Sequence, residues 1–529
     1  MKILISDNLS EEGVKILERE EDLEVDLHKK LPAEELLKII GEYDALIVRS
    51  ASRVTDEVME AGAKLQVVGR AGVGVDNIDV TAATRRGIIV MNAPEGNTIS
   101  AAELTMAHMM SLSRNLNQSI NLLKGGKWDR TAFVGRELLG KTLGVVGLGR
   151  IGAEVVKRSR AFGMKVLVFD PYASEELADR LEVQLCELDE ILEKADLITV
   201  HCPLTEGTKH LLNDAAFEKM KDGVRILNCA RGGIIDEDAL QRALESGKVA
   251  GAALDVFEDE PAEDHPLLKL ENVIATPHLG ATTVEAQHGV AVQIARQVVD
   301  ALRGRPVQNA LNMPAISADV LELIRPYVDL AEKLGQFFVQ IAQGAISRVN
   351  VTYHGEMNDH DVRPITAALL RGILQPILNR PVNYVSAPMI AQERGINLIE
   401  SKSTASADFA NLITLQSTVG EEDLEVVGTL FGHKEPRIVR INSYHLDAVP
   451  DGHMLIVRNS DAPGVIRHIS TILADHQINI ANMNVGRDAP GGEAVTVVNI
   501  DTPLDDEGLA DMAALRSIHK IRQVVLGDS

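Results

Sequence analysis

The sequence predicts an α/β protein of several domains: two doubly wound parallel-sheet domains, then an α+β domain, then a small domain of βαββαβ order. Three observations predict it. Short apolar runs alternate with helical segments through roughly the first half of the chain, the rhythm of parallel strands joined by crossover helices. A glycine-rich turn, Gly147-Leu-Gly149-Arg-Ile-Gly152, lies between one such run and a helix. From residue 453 the order changes to strand, helix, strand, strand, helix, strand, the ferredoxin-like arrangement. At 529 residues the chain is long enough for three or four domains, each with its own core.

Residues 1–98 supply the first rhythm, with strands expected at Lys2–Ile5, Glu24–Leu27, Ala45–Val48, Leu65–Val68 and Ile88–Val90. One long helix is expected from Ser100 to Leu123, because Met106, Met109, Leu112, Leu116, Ile120 and Leu123 recur at helical spacing. That stripe reads as core or as a contact between subunits.

The run Thr142-Leu-Gly-Val-Val leads straight into Gly147, and a helix follows over Ala153–Phe162. Gly147 permits the tight turn, Gly149 lets a pyrophosphate approach the backbone, and Gly152 lets the helix pack on its strand. The next strand, Lys165–Phe169, ends in Asp170, eighteen residues beyond Gly152. An acid there accepts hydrogen bonds from ribose hydroxyls and repels a 2′-phosphate, so NAD is expected rather than NADP.

Arg231, Glu260 and His278 follow three apolar runs, Val224–Leu227, Val249–Leu254 and Val273–Ala275. In an open α/β sheet, ligands bind at the carboxyl ends of the strands. A guanidinium there can hold a carboxylate and a carbonyl oxygen, and a histidine oriented by a carboxylate can carry a hydroxyl proton. Together these three can handle a 2-hydroxy acid. Arg49 and Arg70 end or follow the runs Ala45–Val48 and Leu65–Val68, and Arg130 follows Gly-Lys-Trp-Asp. Several such donors suit a phosphomonoester, which carries nearly two negative charges.

Gly147–Gly152, Asn228-Cys-Ala-Arg231-Gly-Gly-Ile-Ile-Asp236, Ala253-Leu-Asp255-Val-Phe257 and Pro277-His278-Leu-Gly280-Ala281 resemble the D-isomer-specific 2-hydroxyacid dehydrogenases. The resemblance implies that Arg231, Glu260 and His278 form the catalytic trio. It also implies that Arg150, Ile151, Asp170, Cys229, Ala230, Asp255, Gly280 and Ala281 line NAD, with Cys202 close by. Arg49 and Arg70 are then expected near a substrate phosphate, Asn97 near the substrate, and the Val73 and Gly74 amides at its carboxylate. Val73 and Cys202 stand where the family often has Thr. The implied reaction is oxidation of D-3-phosphoglycerate. A glyoxylate or hydroxypyruvate reductase would use the same trio, and an NAD-sensing binding protein would need no turnover. The resemblance further implies a split substrate-binding domain, 1–98 with 282–312, around an NAD-binding domain, 99–281, and a homo-oligomer, expected to be a tetramer.

Residues 313–452 carry no nucleotide motif and resemble the intervening domain of long-form members; Val449-Pro-Asp-Gly marks a turn at its end. Residues 453–529, with elements at Met454–Arg458, Gly464–Ala474, Ile478–Val485, Ala494–Ile500, Glu507–Ser517 and Ile521–Leu526, resemble ACT domains. Such domains bind amino acids at subunit contacts. Asn459, Asp461 and Asn479 match the positions that hold the amino acid, and L-serine is the expected effector.

Composition narrows the rest. A net charge of −24 argues against nucleic acid as a partner. Three cysteines, Cys186, Cys202 and Cys229, show no paired spacing, which fits a reducing cytoplasm without disulfides or a metal site. The opening Met-Lys-Ile-Leu-Ile-Ser-Asp turns polar too soon for a signal peptide. No apolar run reaches the length of a membrane span.

Overall fold

The computed structural model describes residues 1–305, 307–314, 318–342, 344–403, 409–420, 422–432 and 434–527. Four sheets carry the architecture. The first is parallel, with β1 (Lys2–Ile5), β2 (Glu24–Leu27), β3 (Ala45–Val48), β4 (Val67–Arg70) and β5 (Ile89–Asn92) in the order β2-β1-β3-β4-β5. The order in which strands are added reverses between β1 and β3, and a crevice opens at such a switch point. Arg49 follows β3 into it. β4 starts and ends two residues later than its apolar run suggested, because Gly69 and Arg70 pair with Met91 and Asn92. Arg70 is thus the last residue of a strand, held by its ladder.

The second sheet is also parallel. Its strands are β6 (Thr142–Val146), β7 (Lys165–Phe169), β8 (Gln184–Leu185), β9 (Leu197–Val200), β10 (Val224–Asn228), β11 (Val249–Leu254) and β12 (Val273–Ala275). They lie in the order β12-β11-β10-β9-β6-β7-β8, so the switch point falls beside β6. The glycine-rich turn leaves β6 at that point.

The helix expected over 100–123 is two helices, Thr98–Ser113 and Leu116–Lys124. Asn115, at φ 51°, takes the left-handed conformation and breaks them, a conformation Asn tolerates better than most residues. Met106, Met109 and Leu112 are buried against the second sheet, whereas Leu116, Ile120 and Leu123 are 42%, 47% and 56% exposed. The apolar stripe therefore serves the core only in its first half.

The helix Val284–Leu302 packs back on the first sheet, where Ala291, Ile294 and Val298 join Ile3, Ile5 and Val67 in one core. A side chain at Gly69 or Gly13 would press into that helix, which explains the two glycines. Beyond it, Asn312 accepts a hydrogen bond from the Val90 amide.

The third sheet is mixed: β13 (Arg348–Gly355), β14 (Asn397–Ser403), β15 (Asn411–Val419), β16 (Glu422–Phe431), β17 (Glu435–Ile441) and β18 (Tyr444–Ala448), ordered β14-β13-β15-β16-β17-β18. Helices Ala318–Ile341 and Arg363–Leu374 cover it around Phe337, Phe338 and Tyr353. The fourth sheet is antiparallel, with β19 (Gly452–Ser460), β20 (Ile480–Arg487), β21 (Glu493–Ile500) and β22 (Ile518–Leu526) in the order β20-β21-β19-β22. With helices Val465–Asp475 and Asp506–Ala513 it is the βαββαβ unit. Among the described residues, no helix is long and apolar enough to cross a membrane.

Candidate active site

The carboxyl ends of β10, β11 and β12 deliver Arg231, Glu260 and His278 to one place. His278 Nδ1 lies 2.8 Å from Glu260 Oε2. Glu260 is steadied from behind, since its Oε1 accepts the Phe257 amide at 3.1 Å. Burial alone would raise its carboxyl. The bond to His278 and that residue's charge, the Phe257 N–H and Arg231 outweigh burial and hold the group below the usual carboxylate range.

Arg231 crosses from the second sheet to the first. Its Nε donates to Asp76 Oδ2 at 3.1 Å and its Nη1 to the Ala230 carbonyl at 2.6 Å. A side chain at Gly74 would collide with its Nη2, and one at Gly72 with Arg70 Nη1. The glycines of the Ala71-Gly-Val-Gly74 turn thus leave room for two guanidiniums. Asp76 had no signal in the sequence beyond following that turn.

Three cations converge here. Burial, opposed only in part by Asp76 and Asp7, combines with the charges of Arg231 and Arg49 to push Arg70 down to about 10, and its buried Nε has no hydrogen-bond partner. Arg49 is fixed by its own amide to Asp7 Oδ2 at 2.6 Å and by Nη1 to the Asn8 carbonyl at 3.1 Å. Asp7, 3% exposed, also takes both the amide and the hydroxyl of Ser52; neither residue was singled out from sequence. Val73 is tied down through its carbonyl by Asn92. Asn97 begins the helix Thr98–Ser113 with its buried Oδ1 unpartnered. Arg130 stands apart on an exposed stretch with Trp128, 79% exposed, and shares no described contact with the cleft residues.

The nucleotide turn has the shape its glycines imply. Gly147 sits at φ 101°, and a Cβ there would lie 2.8 Å from the Cys202 amide nitrogen. A Cβ at Gly152 would strike the Gly147 carbonyl, so only glycine lets the helix Arg150–Ala161 start so close to β6. Nothing lies within 4 Å of where a Gly149 Cβ would be. That open cradle at a helix N-terminus fits a pyrophosphate. The helix starts three residues earlier than expected, placing Arg150 and Ile151 in its first turn. Asp170 follows β7 and accepts the Leu148 amide at 2.7 Å and the Tyr172 amide at 2.8 Å. Two of its roughly four lone-pair sites remain for a ribose.

Burial pushes the Cys202 thiol up to about 11 and the Cys229 thiol to about 12, so both are neutral packing groups. Ala230 lies beside Arg231 in the turn after β10, its amide held by Asn228. Asp255 is 1% exposed, and its oxygens accept the Leu279 and Gly280 amides at 2.7 and 2.8 Å and the Thr276 hydroxyl at 2.6 Å. These bonds tie the Asp255 carboxylate to the turn that carries His278, Gly280 and Ala281.

The C-terminal candidates do not meet within one chain. Asp461 accepts from Arg487 Nη1 at 3.2 Å and from the Gly491 amide at 2.9 Å. Asn459, 3% exposed, is bonded to Thr496 and Ser460. Asn479 donates to Asp501 at the opposite end of β20, whose eight residues put it about 25 Å away. The candidates lie at the two ends of β20, which runs the full length of the sheet.

Three family profiles match the chain: the D-isomer specific 2-hydroxyacid dehydrogenase NAD binding domain over 106–280, the D-3-phosphoglycerate dehydrogenase intervening domain over 323–442, and the ACT domain over 453–517. The chain is 45% identical over 527 residues to the D-3-phosphoglycerate dehydrogenase of Methanocaldococcus jannaschii, covering 99% of this chain and 100% of the relative. It is 45% identical over 525 residues to that of Bacillus subtilis, covering 99% of each. Among solved structures, the TT0316 protein of Thermus thermophilus is 36% identical with a TM-score of 0.55, covering 59% of this chain and 100% of its own. The apo D-lactate dehydrogenase of Escherichia coli is 29% identical with a TM-score of 0.53 and the same coverage.

Proposed function

The chain belongs to the D-3-phosphoglycerate dehydrogenases, and from that premise we propose that it oxidises D-3-phosphoglycerate to 3-phosphohydroxypyruvate, the first step of L-serine synthesis. The observation that carries this reading is the cluster of Arg49, Arg70 and Arg231 beside the His278–Glu260 pair. A phosphomonoester at one end and a carboxylate at the other answer three guanidiniums; glycerate or lactate would leave Arg70 unpaired.

Glu260 accepts a hydrogen bond from His278 Nδ1–H, so Nε2 carries the lone pair for the substrate. Nε2 receives the C2 hydroxyl proton, and Glu260 offsets the imidazolium charge that results. Arg231, anchored by Asp76 and Ala230, offers Nη2 to the substrate carboxylate and to the carbonyl oxygen forming at C2. The Val73 and Gly74 amides take the other carboxylate oxygen, Arg49 and Arg70 hold the phosphate, and Asn97 Oδ1 is free to accept from the substrate. Bound NAD would supply the acceptor for the hydride that leaves C2. The Gly147–Gly152 turn and the first turn of its helix would hold its pyrophosphate and Asp170 its ribose, while the Cys229–Arg231 stretch and the Asp255-held turn through Gly280 and Ala281 would line the nicotinamide end.

The proposed domains are 1–98 with 282–312 for substrate, 99–281 for NAD, 313–452 intervening and 453–529 regulatory. The protein is proposed to be a cytoplasmic homotetramer. The exposed Leu116, Ile120 and Leu123 support self-association. The L-serine site is proposed to lie between two subunits, with Asn479 of one and Asp461 of the other. The test of the reading is turnover of D-3-phosphoglycerate against D-glycerate with NAD: a preference of at least about a hundredfold in kcat/KM is expected from two phosphate-binding guanidiniums, and equal turnover rejects it.

A further inference from the structure

The turn that presents His278 is held in an uncommon conformation. His278 has φ 56°, in the left-handed region, which is unfavourable for a residue that carries a Cβ. Its amide is shared between the carbonyls of Asp255 at 2.9 Å and Thr276 at 3.0 Å, and the next two amides end on the Asp255 carboxylate. What fixes that carboxylate lies deeper. Thr276 Oγ1 donates to Asp255 Oδ1 at 2.6 Å and lies 3.2 Å from Nε2 of His108.

His108 is 4% exposed, on the helix Thr98–Ser113, and the residue patterns that marked the other site residues gave no hint of it. The carboxylate can only accept, so the single hydroxyl proton of Thr276 goes to Asp255. Thr276 must then accept from His108, which requires the proton on Nε2. Nδ1 is buried without a partner, consistent with a bare lone pair there; burial also lowers the basicity of this imidazole, against a smaller pull from Asp255. The chain is thus directional, from His108 through Thr276 to Asp255 and out to the two amides after His278.

We propose that His108 and Thr276 are positioning residues for the reaction: their hydrogen-bond chain orients the Asp255 carboxylate and so fixes the turn that aims His278. The helix bearing His108 begins at Asn97, so one rigid element ties the floor of the substrate cleft to the histidine turn. The inference rests on His278 being the proton acceptor.

The test compares His108→Met, which keeps the volume and removes the donor, with His108→Gln, which restores an amide donor. A misaimed histidine costs about 10- to 100-fold in kcat, so His108→Met is expected to lose that much with KM for D-3-phosphoglycerate and Kd for NADH within about threefold. His108→Gln is expected to recover most of the loss. Thr276→Val should match His108→Met and Thr276→Ser should match the parent. Combined with His278→Ala, His108→Met should have no further effect on the residual rate. Retained NADH binding shows that each variant folds. Equal behaviour of the Met and Gln variants, or a Met variant as fast as the parent, overturns the positioning role while the parent and His278→Ala behave as expected. An inactive parent, or an active His278→Ala, overturns the underlying reading instead.

Discussion

Replacing Arg70 with Met separates what the guanidinium does for the fold from what it does for the substrate. The group is pushed well below the ordinary guanidinium value, to about 10, by burial and by Arg231 and Arg49. At about 1.4 kcal/mol per tenfold, holding it charged without its ligand costs the folded protein roughly 3 kcal/mol. Because the folded value lies below the unfolded one, this penalty is fully present at neutral pH and is relieved only as pH rises through about 10. Met keeps most of the volume, so the unliganded variant should unfold at the same temperature as the parent or above it. The substrate effect runs the other way. A charge-assisted hydrogen bond contributes about 1.5–3 kcal/mol, so KM for D-3-phosphoglycerate should rise roughly 10- to 150-fold with kcat little changed. Inorganic phosphate should raise the unfolding temperature of the parent and not of the variant. Thermal unfolding with and without phosphate, beside initial rates, reads all three. A variant that unfolds well below the parent and keeps its KM would refute an Arg70 that waits for a phosphate.

Gly152→Ala would drive a methyl group into the Gly147 carbonyl; the protein should lose at least tenfold in NADH affinity by fluorescence titration, and unaltered affinity would mean that this turn does not carry the pyrophosphate. Asp170→Ala should raise the ratio of kcat/KM with NADP to that with NAD by about tenfold, the worth of one charge-assisted hydrogen bond; a constant ratio would place the ribose elsewhere. L-serine at millimolar concentration should slow the full chain, and Asp461→Ala should abolish that inhibition while leaving the uninhibited rate alone. If serine neither inhibits nor binds calorimetrically, the fourth sheet serves assembly only.

The strands were legible because each is a short apolar run bounded by turn residues, and β1, β2, β3, β7, β11 and β12 fall where the runs place them. β4 shifted because the period of Leu65–Val68 cannot say where pairing with β5 begins. The helix break at Asn115 was invisible to a stripe of apolar residues that continues across it, since spacing reports a face and not a φ angle. In the site, His278 and Glu260 were readable as a pair because their flanking residues are distinctive; Asp76 and Asp7 were not, because a lone acid after a turn looks like any solvated carboxylate. Asp255 shows a different limit. Its place after β11 was plain, but which groups would donate to its oxygens depended on the fold of the 276–280 turn. Asn479 and Asp461 bracket an edge strand, and no sequence spacing tells whether two positions meet within a chain or between two.

The most direct test of the account is His278→Ala, assayed for NAD-dependent oxidation of D-3-phosphoglycerate and for NADH binding on the same preparation. Loss of the proton acceptor should lower kcat by about 10² to 10⁴, with the dissociation constant for NADH unchanged within a few-fold. Turnover close to the parent would contradict the role of His278, and with it the reaction assigned to this cleft.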